Sequence, residues 1–185
     1  MNRPPAPVAI AIALPLLLAL VVAGIAITVR ARGLDGSAPP PPDTTPLAVA
    51  PVDAPQASGP LCAGLLAGLN GDLPADGGTL PQRAQADPVQ PGVRAWAASP
   101  RPVVLRCGLP RPEELTPTSS LLVINGVNWL KLDDGVPDPV VVTYVAVDRP
   151  VYVVLTTPTT AGSGPLQQVS DVIRTTLPAT PVAVR

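Results

Sequence analysis

The chain has 185 residues, among them 28 Pro and 15 Gly, with no His and no Phe. Its 12 basic and 13 acidic residues leave a net charge of −1, so it carries no basic footprint for nucleic acid. Without histidine, the Ser-His-Asp and Cys-His nucleophilic arrangements are excluded, and two cysteines alone cannot complete a four-ligand zinc site.

Residues 1–7 read as a short N-terminal tail. Val8 to Val29 (VAIAIALPLLLALVVAGIAITV) then runs without a charge. As a helix it would rise about 33 Å, enough to cross a hydrocarbon core of about 30 Å. The run predicts an uncleaved transmembrane anchor. A cleaved signal peptide is the second reading. Signals have apolar cores of roughly 7–15 residues, and the best cleavage candidate here, Gly24-Ile25-Ala26, lies inside the apolar stretch. A buried core helix is the third, and core helices are rarely apolar on every face. Pro15 is compatible with a span, because membrane helices tolerate proline. Arg3 precedes the run and Arg30 and Arg32 follow it, so flanking charge does not fix its direction.

Residues 30–59 read as a Pro-rich linker. Pro39 to Pro42, Pro46, Pro51 and Pro55 fix φ and remove donors, which favours an extended stalk over a packed core. Residues 60–185 are the right length for one domain. Pro60 to Leu69 predicts a short helix, with Cys62, Leu65, Leu66 and Leu69 on one stripe and Asn70-Gly71 as its stop. Leu73 to Pro91 reads as a long loop with a turn at Gly77-Gly78. Pro102 to Cys107 predicts a strand with Val103, Leu105 and Cys107 on one face and Val104 and Arg106 on the other.

Leu121 to Leu130 is the clearest local signal. Asn125-Gly126 between two β-prone runs predicts a type I′ hairpin pairing Ile124 with Val127 and Leu122 with Trp129. Both faces are largely apolar, so the hairpin is expected at the centre of a sheet, covered on both sides. Asp133 to Pro139 reads as a loop. Val140 to Val147 and Val151 to Thr157 read as strands joined at Asp148-Arg149-Pro150. Ser163 to Leu177 predicts an amphipathic helix, capped by Ser163, with Leu166, Val169, Val172, Ile173 and Leu177 buried. The expected fold is α+β: a mainly antiparallel sheet of about five strands with two helices packed on it.

Cys62 and Cys107 are too far apart for a CxxC redox motif, and no His stands ready to activate a thiol. A disulfide between them is the better reading; the alternative is two buried free thiols. Such a bridge persists in an oxidising compartment, which would place everything after the span outside the cytoplasm.

No catalytic residue, metal ligand or cofactor motif emerges. Asp133, Asp134 and Asp138 do not match the EF-hand spacing, and a turn rich in Asp, Gly and Pro needs no ion. Glu113-Glu114 could serve a hydrolase, but after Pro112 they read better as a solvated turn. Lys131 reads as a solvated strand-end residue. Arg106, Arg111, Arg149 and Trp129 remain as candidate binding residues, since arginine forks and aromatic faces recognise anionic or sugar-bearing ligands. The competing reading has the arginines paired locally and the Trp in the core.

The segment Trp96 to Pro112 (WAASPRPVVLRCGLPRP), with Asn125 to Trp129 and Asp148 to Val153, resembles the actinobacterial family catalogued as domain of unknown function 3515. The resemblance rests on Trp96, Pro102, Arg106, Cys107, Gly108, Val127, Trp129 and Arg149. Asp148 and Ala97 depart from the Gly expected at those two places. The resemblance implies an N-terminal span and an exported domain with paired cysteines, and it supplies no reaction. The functional expectation is a membrane-anchored, non-enzymatic envelope module that binds a protein or cell-wall partner. The alternative is a carboxylate-dependent cell-wall glycan hydrolase.

Overall fold

The computed structural model describes residues 18–28, 41–132 and 135–184. The chain divides into a unit of residues 1–40 and a compact unit of residues 41–185. In the first unit, residues 18–28 form helix α1, and the rest of the Val8–Val29 run lies outside the described residues. Among the described residues no helix is long and apolar enough to cross a membrane.

The second unit is α+β. Its elements run α2 (Pro60–Gly68), β1 (Leu73–Ala75), β2 (Gly78–Leu80), β3 (Gln82–Arg83), β4 (Val93–Trp96), β5 (Val103–Leu109), β6 (Leu121–Ile124), β7 (Val127–Leu132), β8 (Val141–Ala146), β9 (Tyr152–Pro158) and α3 (Gly164–Thr176). Seven strands form one antiparallel sheet in the order β3-β4-β5-β9-β8-β7-β6, and β1 and β2 form a separate hairpin.

The sheet therefore exceeds the expected five strands. The unexpected strands, those of the separate hairpin included, are short. β1, β2 and β3 lie inside the stretch that read as a long loop, and β4 follows it. Segments of two to four residues broken by Gly and Pro hold too few positions for a period-of-two pattern to register; their cross-strand partners define them.

Helices α2 and α3 pack on one face of the sheet. Cys62, Leu65 and Leu69 from α2 and Leu166, Val169, Val172 and Ile173 from α3 meet Val103, Leu105, Trp129, Val153 and Leu155 in the main core. The expected stripe on α3 is thus the buried one, and on α2 Cys62, Leu65 and Leu69 are buried while Leu66 is partly so. A smaller cluster of Leu115, Leu130, Val145 and Val147 lies on the opposite face, with Val182 packed against it. Ser163 precedes α3 but makes no capping bond. Its backbone is already helical (φ −87°, ψ −12°), which turns the hydroxyl away from the first-turn amides, and it accepts from Gln167 Nε2 at 3.2 Å instead.

The Asn125-Gly126 hairpin has the expected register and positive φ at both turn residues, 48° and 77°. Its position differs from expectation. Among the described residues β6 is an edge strand, with Leu122 45% and Val123 69% exposed. The apolar character on both faces comes from Val127 and Trp129 facing the main core and Leu121 and Leu130 joining the smaller cluster.

Much of the expected linker is part of the domain. Leu47 bridges to Gln85, Arg83 pairs with Asp43 at 2.7 Å, and Gln56 N–H donates to Gly108 O at 3.2 Å. Residues 43–59 form a strap over the β4–β5 end of the sheet. Gly108 (φ +88°) is an extra residue in β5 between Cys107 and Leu109, and a Cβ there would fall 2.4 Å from Ala57 N. Only glycine lets the strap approach this closely. Residues 30–40 lie outside the described residues.

Candidate functional site

Cys62 on α2 and Cys107 on β5 form a disulfide with Cα atoms 5.6 Å apart, both sealed in the core. The four candidate binding residues do not converge on one site.

Trp129 is fully buried. Its Nε1 donates to Ser170 Oγ at 2.9 Å, and Tyr144 meets its ring edge-on at 6.5 Å. Arg149, at the β8–β9 turn, is buried with Asp148: Nη1 lies 2.9 Å from Asp148 Oδ2, and Nη2 donates to Gly126 O. Asp148 Oδ2 also accepts from the backbone N–H and Nδ2 of Asn128. The Asp–Arg–Asn node ties the β8–β9 turn to the β6–β7 hairpin, which gives Arg149 a structural task. Arg111 donates through Nε to Ala183 O at 3.0 Å and through Nη2 to Leu115 O, holding the C-terminal segment against the smaller cluster.

Arg106 alone faces a cavity. Alternation along β5 sends Val103, Leu105 and Cys107 toward the helices, so Arg106 points to the other side. It lines a cavity of about 80 Å³ with Val52, Ala54, Gln90, Pro91, Val93 and Leu109. Gln90 is held there by its N–H bond to Gln85 Oε1 at 3.0 Å. Burial holds the Arg106 guanidinium below its usual value. Sequence reasoning found Arg106 but missed the walls. Val52 and Ala54 belong to the strap, whose proline content reads as spacer; the Asp43-Thr44-Thr45 turn was the one local sign of order.

A second concavity, about 300 Å³, opens beside the β6 edge. Leu122, Ile124, Val142, Tyr144, Pro158 and Leu166 make its apolar lining, and Thr157, Thr159 and Ser163 rim it. Burial pushes the Tyr144 phenol up. In a two-residue hairpin the residues flanking the turn exchange hydrogen bonds, and alternate residues do so thereafter. Ile124 and Leu122 thus bond to β7, while the amides and carbonyls of Leu121 and Val123 point to the open side. Glu113 and Glu114 are exposed turn residues. Asp133 and Asp134 lie outside the described residues, and Asp138 is exposed.

The architecture is that of a disulfide-stapled α+β domain, helices on one sheet face and a strap at one end, preceded by an apolar N-terminal run. The chain matches, over residues 12–182, the family described as "Protein of unknown function (DUF3515)", and it belongs to that family. No curated protein and no solved structure matches it.

Proposed function

We propose that the protein is a non-enzymatic binding module of the cell envelope, tethered to the membrane through Val8–Val29. Its 41–185 domain takes an extended apolar segment of a protein partner as an added strand on β6. The open β6 edge carries this reading. It offers main-chain groups at Leu121 and Val123, exposed apolar side chains at Leu122 and Val123, and an apolar groove beneath. Neither Pro nor a charge interrupts Leu121–Ile124, the usual protections of a free edge. Strand addition uses main-chain bonds for affinity and side-chain pockets for specificity. The buried disulfide supports an oxidising location. The hydrolase alternative has no observation in its favour.

A photo-crosslinking residue at Val123 in intact cells tests the reading. One partner should be captured there, and Leu121→Pro should abolish capture, because it removes an outward N–H that the fold does not use. Capture that survives Leu121→Pro, or that yields only a second copy of this chain, would overturn it.

A further inference from the structure

Most arginines on the described residues make a hydrogen bond or ion pair, though Arg94 Nε and Arg149 Nε are buried without a partner. Arg83 bonds Asp43 and Thr45, Arg94 bonds Leu66 O, Arg111 bonds two carbonyls, Arg149 pairs with Asp148 and Arg174 with Asp171. Arg101 stands in solvent. Arg106 differs in being part-buried and making no hydrogen bond at all. Its Nη1 has no exposed surface and no hydrogen-bond partner. Its Nε and Nη2 make no hydrogen bond either, yet are not sealed from solvent. A part-buried guanidinium with no protein acceptor keeps its open N–H groups free for an incoming one.

We propose that the cavity beside Arg106 is a binding site for a carboxylate, whose two oxygens accept the free Nε–H and Nη2–H of the guanidinium. The fork of an arginine matches a carboxylate bidentately, and charge-assisted bonds of this kind are the strong ones. The remaining lining selects the ligand class. Val52, Ala54, Pro91, Val93 and Leu109 supply apolar contact, and Arg106 is the one cation on the wall. A single cation beside a wall that is part apolar and part polar, with Gln90 on it, suits a planar monoanion with a small stem. A phosphate dianion would find too few donors. The volume, about 80 Å³, exceeds the ~10–15 Å³ that a single water needs, so a carboxylate and a short stem can enter. Because Val52 and Ala54 belong to the strap, an occupied site also fastens residues 43–59 to the sheet. The site is separate from the β6 edge, and its test does not depend on that reading.

The test is thermal unfolding of the full chain in acetate against chloride at constant ionic strength. Acetate at about ten times its dissociation constant should raise Tm by about 3–6 °C. Arg106→Met, which keeps the apolar stem, should abolish the rise, and Arg106→Lys, which keeps the charge without the fork, should lose most of it. Hydrogen exchange of the 43–59 amides should slow with acetate in the wild type alone. An N-acetylated dipeptide with a free C-terminus, compared with its amidated form, separates a chain terminus from a small acid as the source. Either carboxylate giving an Arg106-dependent shift supports the site. An equal shift in wild type and Arg106→Met, a larger shift with inorganic phosphate, or no shift with either carboxylate overturns it. If the variants fail to fold, the Arg106 Nε–H resonance of the wild type decides: it must move on adding acetate and not chloride.

Discussion

Replacing both Cys62 and Cys107 by Ala should cost about 5 kcal/mol of folding stability. The bridge spans a sequence separation of 45 residues. Closing a loop of that length removes chain entropy from the unfolded state worth about 4 kcal/mol at 25 °C. The two sulfurs also fill the core, at 0% and 1% exposure, so truncation adds about 1 kcal/mol of lost packing. Small domains have about 5–15 kcal/mol in total, so the variant should be close to the margin. Urea unfolding followed by the fluorescence of Trp96 and Trp129, both fully buried, provides the assay. With a slope of about 2 kcal/mol/M, the midpoint should fall by about 2.5 M. Each single variant breaks the same bridge, so Cys62→Ala and Cys107→Ala should each lose nearly as much as the double variant. A midpoint within about 0.3 M of the wild type, or single effects that sum to the double, would refute the entropic argument.

Three further outcomes follow from the packing. Asp148→Ala leaves the Arg149 guanidinium, 2% exposed, without its counter-charge; urea unfolding should register a loss of about 3–5 kcal/mol, and Asp148→Asn, which keeps an acceptor for Asn128, a smaller one. Gly108→Ala forces a Cβ into the strap backbone at positive φ and should cost at least about 2 kcal/mol, with limited proteolysis newly cutting within residues 43–58. Gly64→Ala, where a Cβ meets nothing within 4 Å, should instead stabilise α2 by about 0.5–1 kcal/mol. The strap should also respond to pH. Thr45 N–H and Oγ1 at 2.9 and 2.8 Å, with Arg83 beside them, hold the Asp43 carboxyl below its ordinary value near 3.8. A depressed carboxyl contributes above its unfolded value and loses that contribution as pH falls through the folded value. Amide protection of residues 43–47 should therefore be full at neutral pH and fade below about pH 4, and Asp43→Asn should remove the dependence.

Local patterns set the elements whose cause lies within a few residues. Asn125-Gly126 fixed its hairpin register because both turn residues must take positive φ. The spacing of Leu166, Val169, Val172 and Ile173 marked the buried face of α3, and alternation along Val103 to Cys107 aimed Arg106 away from the helices. The pairing of the two cysteines followed from the lack of any other chemistry for them. The family was legible in the same segment.

What the sequence could not decide was which surfaces meet. The strands β1 to β4 have too few residues to carry a period, and exist because neighbours complete their hydrogen bonds. β6 looked central because both its faces are apolar, yet an edge is defined by the absence of a neighbouring strand, which no residue in β6 encodes. The strap looked like a spacer because proline content reports backbone stiffness and not what the stiff chain lies against. That contact depends on Gly108, some fifty residues away, lacking a side chain where Ala57 passes. The Arg106 cavity exists for the same reason: one wall is strand and the other is strap. Periodicity is a property of the chain, whereas complementarity between distant segments appears only when the fold brings them together.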